Sequence, residues 1–448
     1  MHRLKNLTDS GIIDEFFLGF GRVSLRNLIK TRPQKELLSY QNRLESLQIK
    51  FDHFRYYIDL LHFDKYPRSI TKLSFSGGIF SNPVPSTSLD YFKNLKVLDL
   101  NFHKDSSAGF INSLLCLIPK VPNLERLTLL APLEALPGLK ESFRSLKALT
   151  MLKHVRIHAC NLVFPHSRVL LKVLMKLSLR SLYLNVRIED PKELSLTLTL
   201  LERLTQLETL KLHIYHKNTL ESSAIEEILE KVDKLDDLKH LSLTVNTQTL
   251  GKEDSEETIQ LPLSNLFMKS IPLESFRIES NHVNISNEAF LDLFKSLQKQ
   301  ATSLKKIKLA IGEVFLDKKE FKRFLKLLQK IHKHIRVLKL SMLGIYNKSH
   351  FTEIAETVQT MKYLRSFGLG KFYMQVTQTA FWKGVKKILY KHGLVKFKCD
   401  ASKDFREKIL AFARSRSGIN WSTLRKKNPA LVKIPDSISF NGEDGWEN

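Results

Sequence analysis

One six-residue pattern governs what this chain can fold into. The string Leu95-Lys-Val-Leu98-Asp-Leu100 returns as Leu124-Glu-Arg-Leu127-Thr-Leu129, as Leu207-Glu-Thr-Leu210-Lys-Leu212 and as Leu238-Lys-His-Leu241-Ser-Leu243. With Ile, Phe, Val and Cys admitted at the apolar places, apolar-x-x-apolar-x-apolar has thirteen registers. They start at Leu44, Ile70, Leu95, Leu124, Leu152, Leu179, Leu207, Leu238, Leu273, Leu304, Ile335, Leu364 and Leu394. Successive starts lie 25 to 35 residues apart, about 29 on average. Self-similarity at such a period is the mark of stacked supersecondary units. A unit this small cannot bury its own apolar face, so neighbours must stack to bury one continuous core.

The segments between hexamers read as helices. Ser223-Ala-Ile-Glu226 is a capping box, with Ile225, Ile228, Leu229 and Val232 at helical spacing. Asp317-Lys-Lys-Glu320 starts another, followed by Phe321, Phe324, Leu325 and Leu328. Ser286 opens a third, with Phe290, Leu293, Phe294 and Leu297 on one face, and Thr377 or Thr379 a fourth through Phe381, Val385, Ile388 and Leu389. A strand alternating with a helix many times over predicts parallel strands.

Over roughly residues 44–402 the hexamer resembles the leucine-rich repeat. The match extends to Asn246, Asn281 and Cys160, which stand where that family places the Asn or Cys that bonds the turn after the strand. Asp52, His103, Pro132, Tyr215 and Gly312 occupy the same slot elsewhere, so the repeats are divergent. Their length is most similar to the ribonuclease-inhibitor-like subtype. The resemblance implies an α/β solenoid of horseshoe shape, with about thirteen parallel strands on the concave face and helices on the convex face.

Residues 1–43 read as an N-terminal cap, with helical spacing at Ile12, Phe16, Phe17 and Phe20. Residues 44–402 form the leucine-rich repeat solenoid without an internal linker, and 246–260 reads as an exposed loop. Residues 403–448 hold a capping helix (Phe405, Ile409, Leu410, Phe412) and an irregular acidic tail with Asp436, Glu443, Asp444 and Glu447. Apolar runs are cut by cations, as Lys172 and Lys176 cut 169–179, so no membrane span is expected. Three scattered cysteines make no disulfide framework and suit a reducing compartment. Cytoplasmic placement is expected, with cytoskeletal, ciliary, nuclear and mitochondrial sites open. Asp9, Asp14 and Glu15 argue against a secretory or transit segment.

The chain carries 71 Lys and Arg against 46 Asp and Glu, a net charge of +25. The third and fifth hexamer residues, and the residue just after the hexamer, point away from the core. Those 39 positions hold eleven Lys or Arg and three acids, a net +8 where an even spread of charge gives about +2. Such cations on neighbouring strands add their fields. The candidate partner-binding residues on this face are Arg126, Arg156, Tyr183, Lys211, Arg277, Lys308, Lys339 and Lys398. Arg277, Lys308 and Lys339 share one slot in three successive repeats and are expected to form a ladder pointing into solvent. His154, His158, His213 and His240 fall on the same face, too dispersed for a metal site. Cys116 lies among Leu114, Leu115, Leu117 and Ile118 and is expected to be buried, Cys160 to fill a turn slot and Cys399 a core slot.

Gly19-Phe-Gly21 and Gly77-Gly78 are too short to be phosphate loops, and there is no Walker, dinucleotide, His-Glu-x-x-His or paired Cys-x-x-Cys motif. No enzyme, cofactor or small-molecule substrate is implied. The sequence reads as a protein–protein interaction scaffold for an acidic protein surface or a multi-subunit assembly, cytoskeletal or ciliary by analogy. One alternative is an F-box-like substrate adaptor of a ubiquitin ligase, through residues 1–43 with Leu25-Arg-Asn-Leu28. The other is a ribonucleoprotein-binding subunit contacting RNA, although Tyr183 stands nearly alone as an aromatic on the outward positions.

Overall fold

A computed structural model describes residues 15–18, 21–23, 46–50, 70–76, 93–101, 111, 115–130, 139–159, 164–188, 191–216, 222–247, 271–280, 286–314, 316–343, 348–370, 387–388, 394 and 396–399. The chain divides into two compact units, Met1–Tyr215 and His216–Asn448. Both are built from the same strand–helix repeat.

In the first unit the strands are β1 (Glu15–Leu18), β2 (Gly21–Val23), β3 (Ser46–Lys50), β4 (Lys72–Ser76), β5 (Val97–Asn101), β6 (Arg126–Leu130), β7 (His154–Ala159), β8 (Ser181–Ile188) and β9 (Thr209–His216). They lie side by side in the order β2-β1-β3 and then in sequence to β9. β3 to β8 pair in parallel, residue for residue along the hexamer, as in Leu98↔Leu127 and Leu127↔Val155. Helices α1 (Leu139–Ser145), α2 (Phe164–Leu174) and α3 (Pro191–Arg203) follow β6, β7 and β8. Among the described residues, the apolar hexamer positions are buried, for example Leu124, Leu127 and Leu129, or Leu207, Leu210 and Leu212.

The N-terminal segment departs from the helical expectation. β1 and β2 form an antiparallel hairpin, Phe16 opposite Val23, and β1 runs antiparallel to β3 with Glu15 opposite Lys50. A hairpin here pairs the edge of β3 with backbone hydrogen bonds, which a helix could not make, and leaves the three-residue β2 as the outermost strand.

In the second unit the strands are β10 (His240–Thr247), β11 (Ser275–Ser280), β12 (Lys306–Glu313), β13 (Val337–Leu343), β14 (Ser366–Gly370) and β15 (Lys396–Cys399), parallel from β10 to β15. All thirteen hexamer registers therefore carry a strand, which makes the chain an α/β array of leucine-rich strand–helix repeats. Helices α4 (Ser222–Val232), α5 (Asn287–Lys299), α6 (Lys318–Ile331) and α7 (Lys348–Thr360) precede or follow them. The expected helix starts hold at two places. Ser286 caps α5 by accepting from Ala289 N, and Asp317 and Glu320 form a reciprocal capping box on α6. α4 begins one residue before Ser223. The helix expected from Thr377 or Thr379 lies outside the described residues save for Lys387 and Ile388, as do the loop from 248, the turn-slot side chains and the C-terminal cap.

α5 and α6 join through stacked phenylalanines. Phe324 lies 5.3 Å from Phe290, 4.9 Å from Phe294 and 6.0 Å from Phe321, ring centre to ring centre. The buried His350 of α7 continues the stack at 3.9 Å from Phe321. Helical spacing puts these rings on one face, and edge-on or tilted contacts suit their quadrupoles.

A backbone rung recurs at the starts of β5 to β9 and of β11 to β14. Thr71 O accepts from Lys96 N and Val97 N at 2.7 and 3.0 Å, Lys96 O from Glu125 N and Arg126 N, Glu125 O from Lys153 N and His154 N, and Lys153 O from Arg180 N and Ser181 N. The second unit repeats it from Lys239 O through Glu274 O and Lys305 O to Arg336 O. Each carbonyl thus uses both lone pairs on two successive N–H groups of the next repeat. Some of the side chains at these same positions carry opposite charges and pair: Lys96–Glu125 at 3.2 Å, Arg180–Glu208 at 3.5 Å and Lys305–Glu274 at 2.9 Å. All are substantially exposed, so each contributes little to stability.

Candidate functional site on the open sheet face

The strands turn their buried leucines to one side and their alternate residues to the other, open face. In the first unit that face gathers its cations over β6 to β9. The register sets Thr128 beside Arg156 and Arg156 beside Tyr183, with Arg126, His154 and Ser181 one pleat earlier. Together with Lys211 and Thr209 of β9 these side chains line an open depression of about 190 Å3. Four of the eight sequence candidates, Arg126, Arg156, Tyr183 and Lys211, meet here. Among the described residues no carboxylate lines it.

Tyr183 is its floor. The ring is 9% exposed, and the Arg156 guanidinium lies over it at 4.6 Å from the ring centre. His213 meets the ring edge-on at 5.0 Å, and His158 stacks at 6.0 Å with Nε2 3.3 Å from the Tyr183 hydroxyl. The Asn185 amide donates to the same His158 nitrogen at 3.1 Å. Asn185 is 1% exposed, and its Oδ1 has no partner among the described residues.

The charges in the lining are positive. Burial, then Arg126 and Arg180, hold His154 below its ordinary pKa of 6.5, with Glu125 and Glu208 pulling weakly the other way. His154 is therefore neutral at pH 7. Arg126, Arg156 and Lys211 leave the depression with three formal positive charges.

The second unit treats its cations differently. Arg277, Lys308 and Lys339 are in register on β11, β12 and β13, but they do not point free into solvent. Arg277 is half-buried and pairs with Glu279 two residues along its own strand. Lys308 and Lys339 are each only 6% exposed. The Lys339 stem lies across Gly368 of β14, where an added Cβ would come within 3.1 Å of Lys339 Cγ. The bare glycine is what lets the lysine lie down along the sheet. Lys398 is on β15, and its side chain lies outside the described residues.

Cys116 is exposed, not buried; its thiol lies 3.1 Å from Ser142 Oγ. No group of three His, Cys, Asp or Glu side chains among the described residues could hold a metal ion. No described helix is long and apolar enough to cross a membrane. Sequence reasoning missed the contributions of Thr128, Ser181, Thr209 and Asn185. Their only signal is the hexamer register, which puts all four on outward slots.

No protein family and no curated protein matches this sequence. Among solved structures, the chain is similar to the leucine-rich-repeat ectodomain of the Arabidopsis receptor kinase HAESA, solved with an N-terminally extended IDA peptide hormone ligand. The two share 13% identity over 78% of this chain and 69% of that one, with a TM-score of 0.26. A likeness that slight adds nothing to the fold, which stands on the strand register.

Proposed function

We propose that this chain is a non-catalytic scaffold of ribonuclease-inhibitor-like repeats that docks an acidic protein surface on the open sheet face of its first unit. One observation carries the reading: Arg126, Arg156 and Lys211 surround a single depression that no carboxylate lines among the described residues. Three cations lining one depression put a positive field over this part of the face. An acidic partner is steered to the face by that field. Arg156 over Tyr183 supplies the Arg–Tyr pairing that commonly anchors interfaces. The buried lysines of the second unit, Lys308 and Lys339, take no direct part.

The test compares Arg126→Glu/Arg156→Glu/Lys211→Glu with Lys319→Glu/Lys322→Glu/Lys326→Glu, cations carried on α6. A glutamate-rich peptide is titrated against each by calorimetry at low and at physiological salt. The first triple variant is expected to lose binding and the second to keep it. Wild-type affinity should fall with salt as screening contracts the field to about 8 Å. Equal losses in the two variants would show that net charge alone drives association and would overturn the assignment to this face.

A further inference from the structure

We propose that the depression receives a phosphate monoester carried on a flexible segment of the partner protein, a phosphorylated side chain in preference to a plain carboxylate. The proposal rests on the acidic-partner reading above and narrows it to one ligand chemistry.

The first argument is the posture of Arg156. Its guanidinium carbon lies over the Tyr183 ring, 4.6 Å from the ring centre. A guanidinium presents its N–H donors as a planar fork that can meet an oxyanion two bonds at a time, which a lysine cannot do. Tyr183 is itself packed by His213 at 5.0 Å and by His158, so the arginine rests on a ring held from two sides. An arginine held this way has already lost much of the freedom that binding would otherwise remove.

The second argument is the donor count. Arg126 and Lys211 flank Arg156, and the hydroxyls of Thr128, Ser181 and Thr209 line the same depression. A carboxylate brings one charge and two oxygens. A phosphate monoester brings about −1.5 to −2 and three strong acceptors, the closer match to three cations and three hydroxyls. The volume of about 190 Å3 holds one such side chain; a helix about 10 Å across does not fit. Nucleic acid is disfavoured for a stated reason. Tyr183 is 9% exposed with a guanidinium across it, so the floor has no free face on which a base could stack. His154 lies in the same lining, and an anion beside it opposes the fields of Arg126 and Arg180, which favours its protonated form.

The experiment uses the full chain and three peptides of one Gly/Ser sequence, carrying a single phosphoserine, a single glutamate or neither, titrated by surface plasmon resonance. A short oligouridylate is the fourth probe. The phosphoserine peptide is expected to bind about tenfold tighter than the glutamate peptide, the value of one additional charge-assisted hydrogen bond. Arg156→Lys keeps the charge and loses the fork, and should reduce phosphoserine binding about tenfold at an unchanged melting temperature. Arg126→Gln should weaken it independently. Equal affinity for the phosphoserine and glutamate peptides would overturn the phosphate assignment and leave the acidic-partner reading standing. No measurable binding of either would overturn both. Oligouridylate binding that exceeds the phosphopeptide and depends on Arg156 would overturn the proposal in favour of RNA.

Discussion

Truncating Phe324 to alanine should cost the second unit about 4 kcal/mol. The side chain is fully buried at the junction of α5 and α6, with three phenylalanine rings within 6.0 Å. Losing a buried phenylalanine costs roughly 3–5 kcal/mol, transfer and cavity together. The upper half of that range applies because rings on two helices would have to collapse together to refill the space. For a unit of this size each kcal/mol moves the melting temperature by about 2–4 °C, so a fall of roughly 8–16 °C is expected. Scanning calorimetry on the full chain reads it directly. Pairing the change with Phe294→Ala adds a second check. The two rings are 4.9 Å apart, so the double variant should depart from additivity by about 0.5 kcal/mol or more. A melting shift under 3 °C, or strict additivity, would refute the account of these rings as one packed cluster.

Two more outcomes follow from side-chain burial. Under brief amine acetylation read by mass spectrometry, Lys308 and Lys339 should label far more slowly than the exposed Lys211 and Lys319; Lys339 labelling as fast as Lys319 would contradict its place across Gly368. Burial holds His350 below its ordinary pKa of 6.5, Glu353 opposing weakly, so the unfolded chain binds the proton more readily than the folded one. The stability this contributes is complete above pH 6.5 and is lost as pH falls from there towards the folded pKa, by at most about 1.4 kcal/mol per pH unit. Denaturant titrations at pH 7.5 and 5.5 should therefore show a smaller pH effect in His350→Phe than in the wild type, and identical slopes would refute the cause.

The strands were legible because the hexamer encodes them twice, by period and by the kind of residue. All thirteen starts found in the sequence carry a strand. The caps at Ser286 and Asp317 were legible because capping is local chemistry. What was not legible depends on residues far apart in sequence. Phe16 and Phe17 sit in an apolar run too short to separate helix from strand, and the choice is made by the edge of β3 against which they lie. Lys308 and Lys339 look like surface lysines until Gly368 is placed beside Lys339. Cys116 shows the opposite error. Its leucine neighbours in sequence are buried, but in a helical turn adjacent residues point about 100° apart, and Cys116 takes the outward direction. The site was half legible: the register placed Arg126, Arg156, Tyr183 and Lys211 correctly on one face, but not the stacking that orients Arg156.

The recurring rung at the strand starts has a consequence for how such a chain changes length. Besides the ladder between strands, the starts of β5 to β9 and of β11 to β14 are each aligned on the strand before by main-chain atoms, Lys96 O holding Glu125 N and Arg126 N, then Glu125 O holding Lys153 N and His154 N, and so onward within each unit. No side chain enters that contact, so its geometry survives any substitution other than proline. Between one rung and the next the chain is free to take a short route or a long one, and the hexamer starts are in fact 25 to 35 residues apart. Insertions and deletions are thereby absorbed within the repeat where they occur. Later strands keep their phase, and a whole repeat can be duplicated or excised without re-specifying the pairing of those that remain.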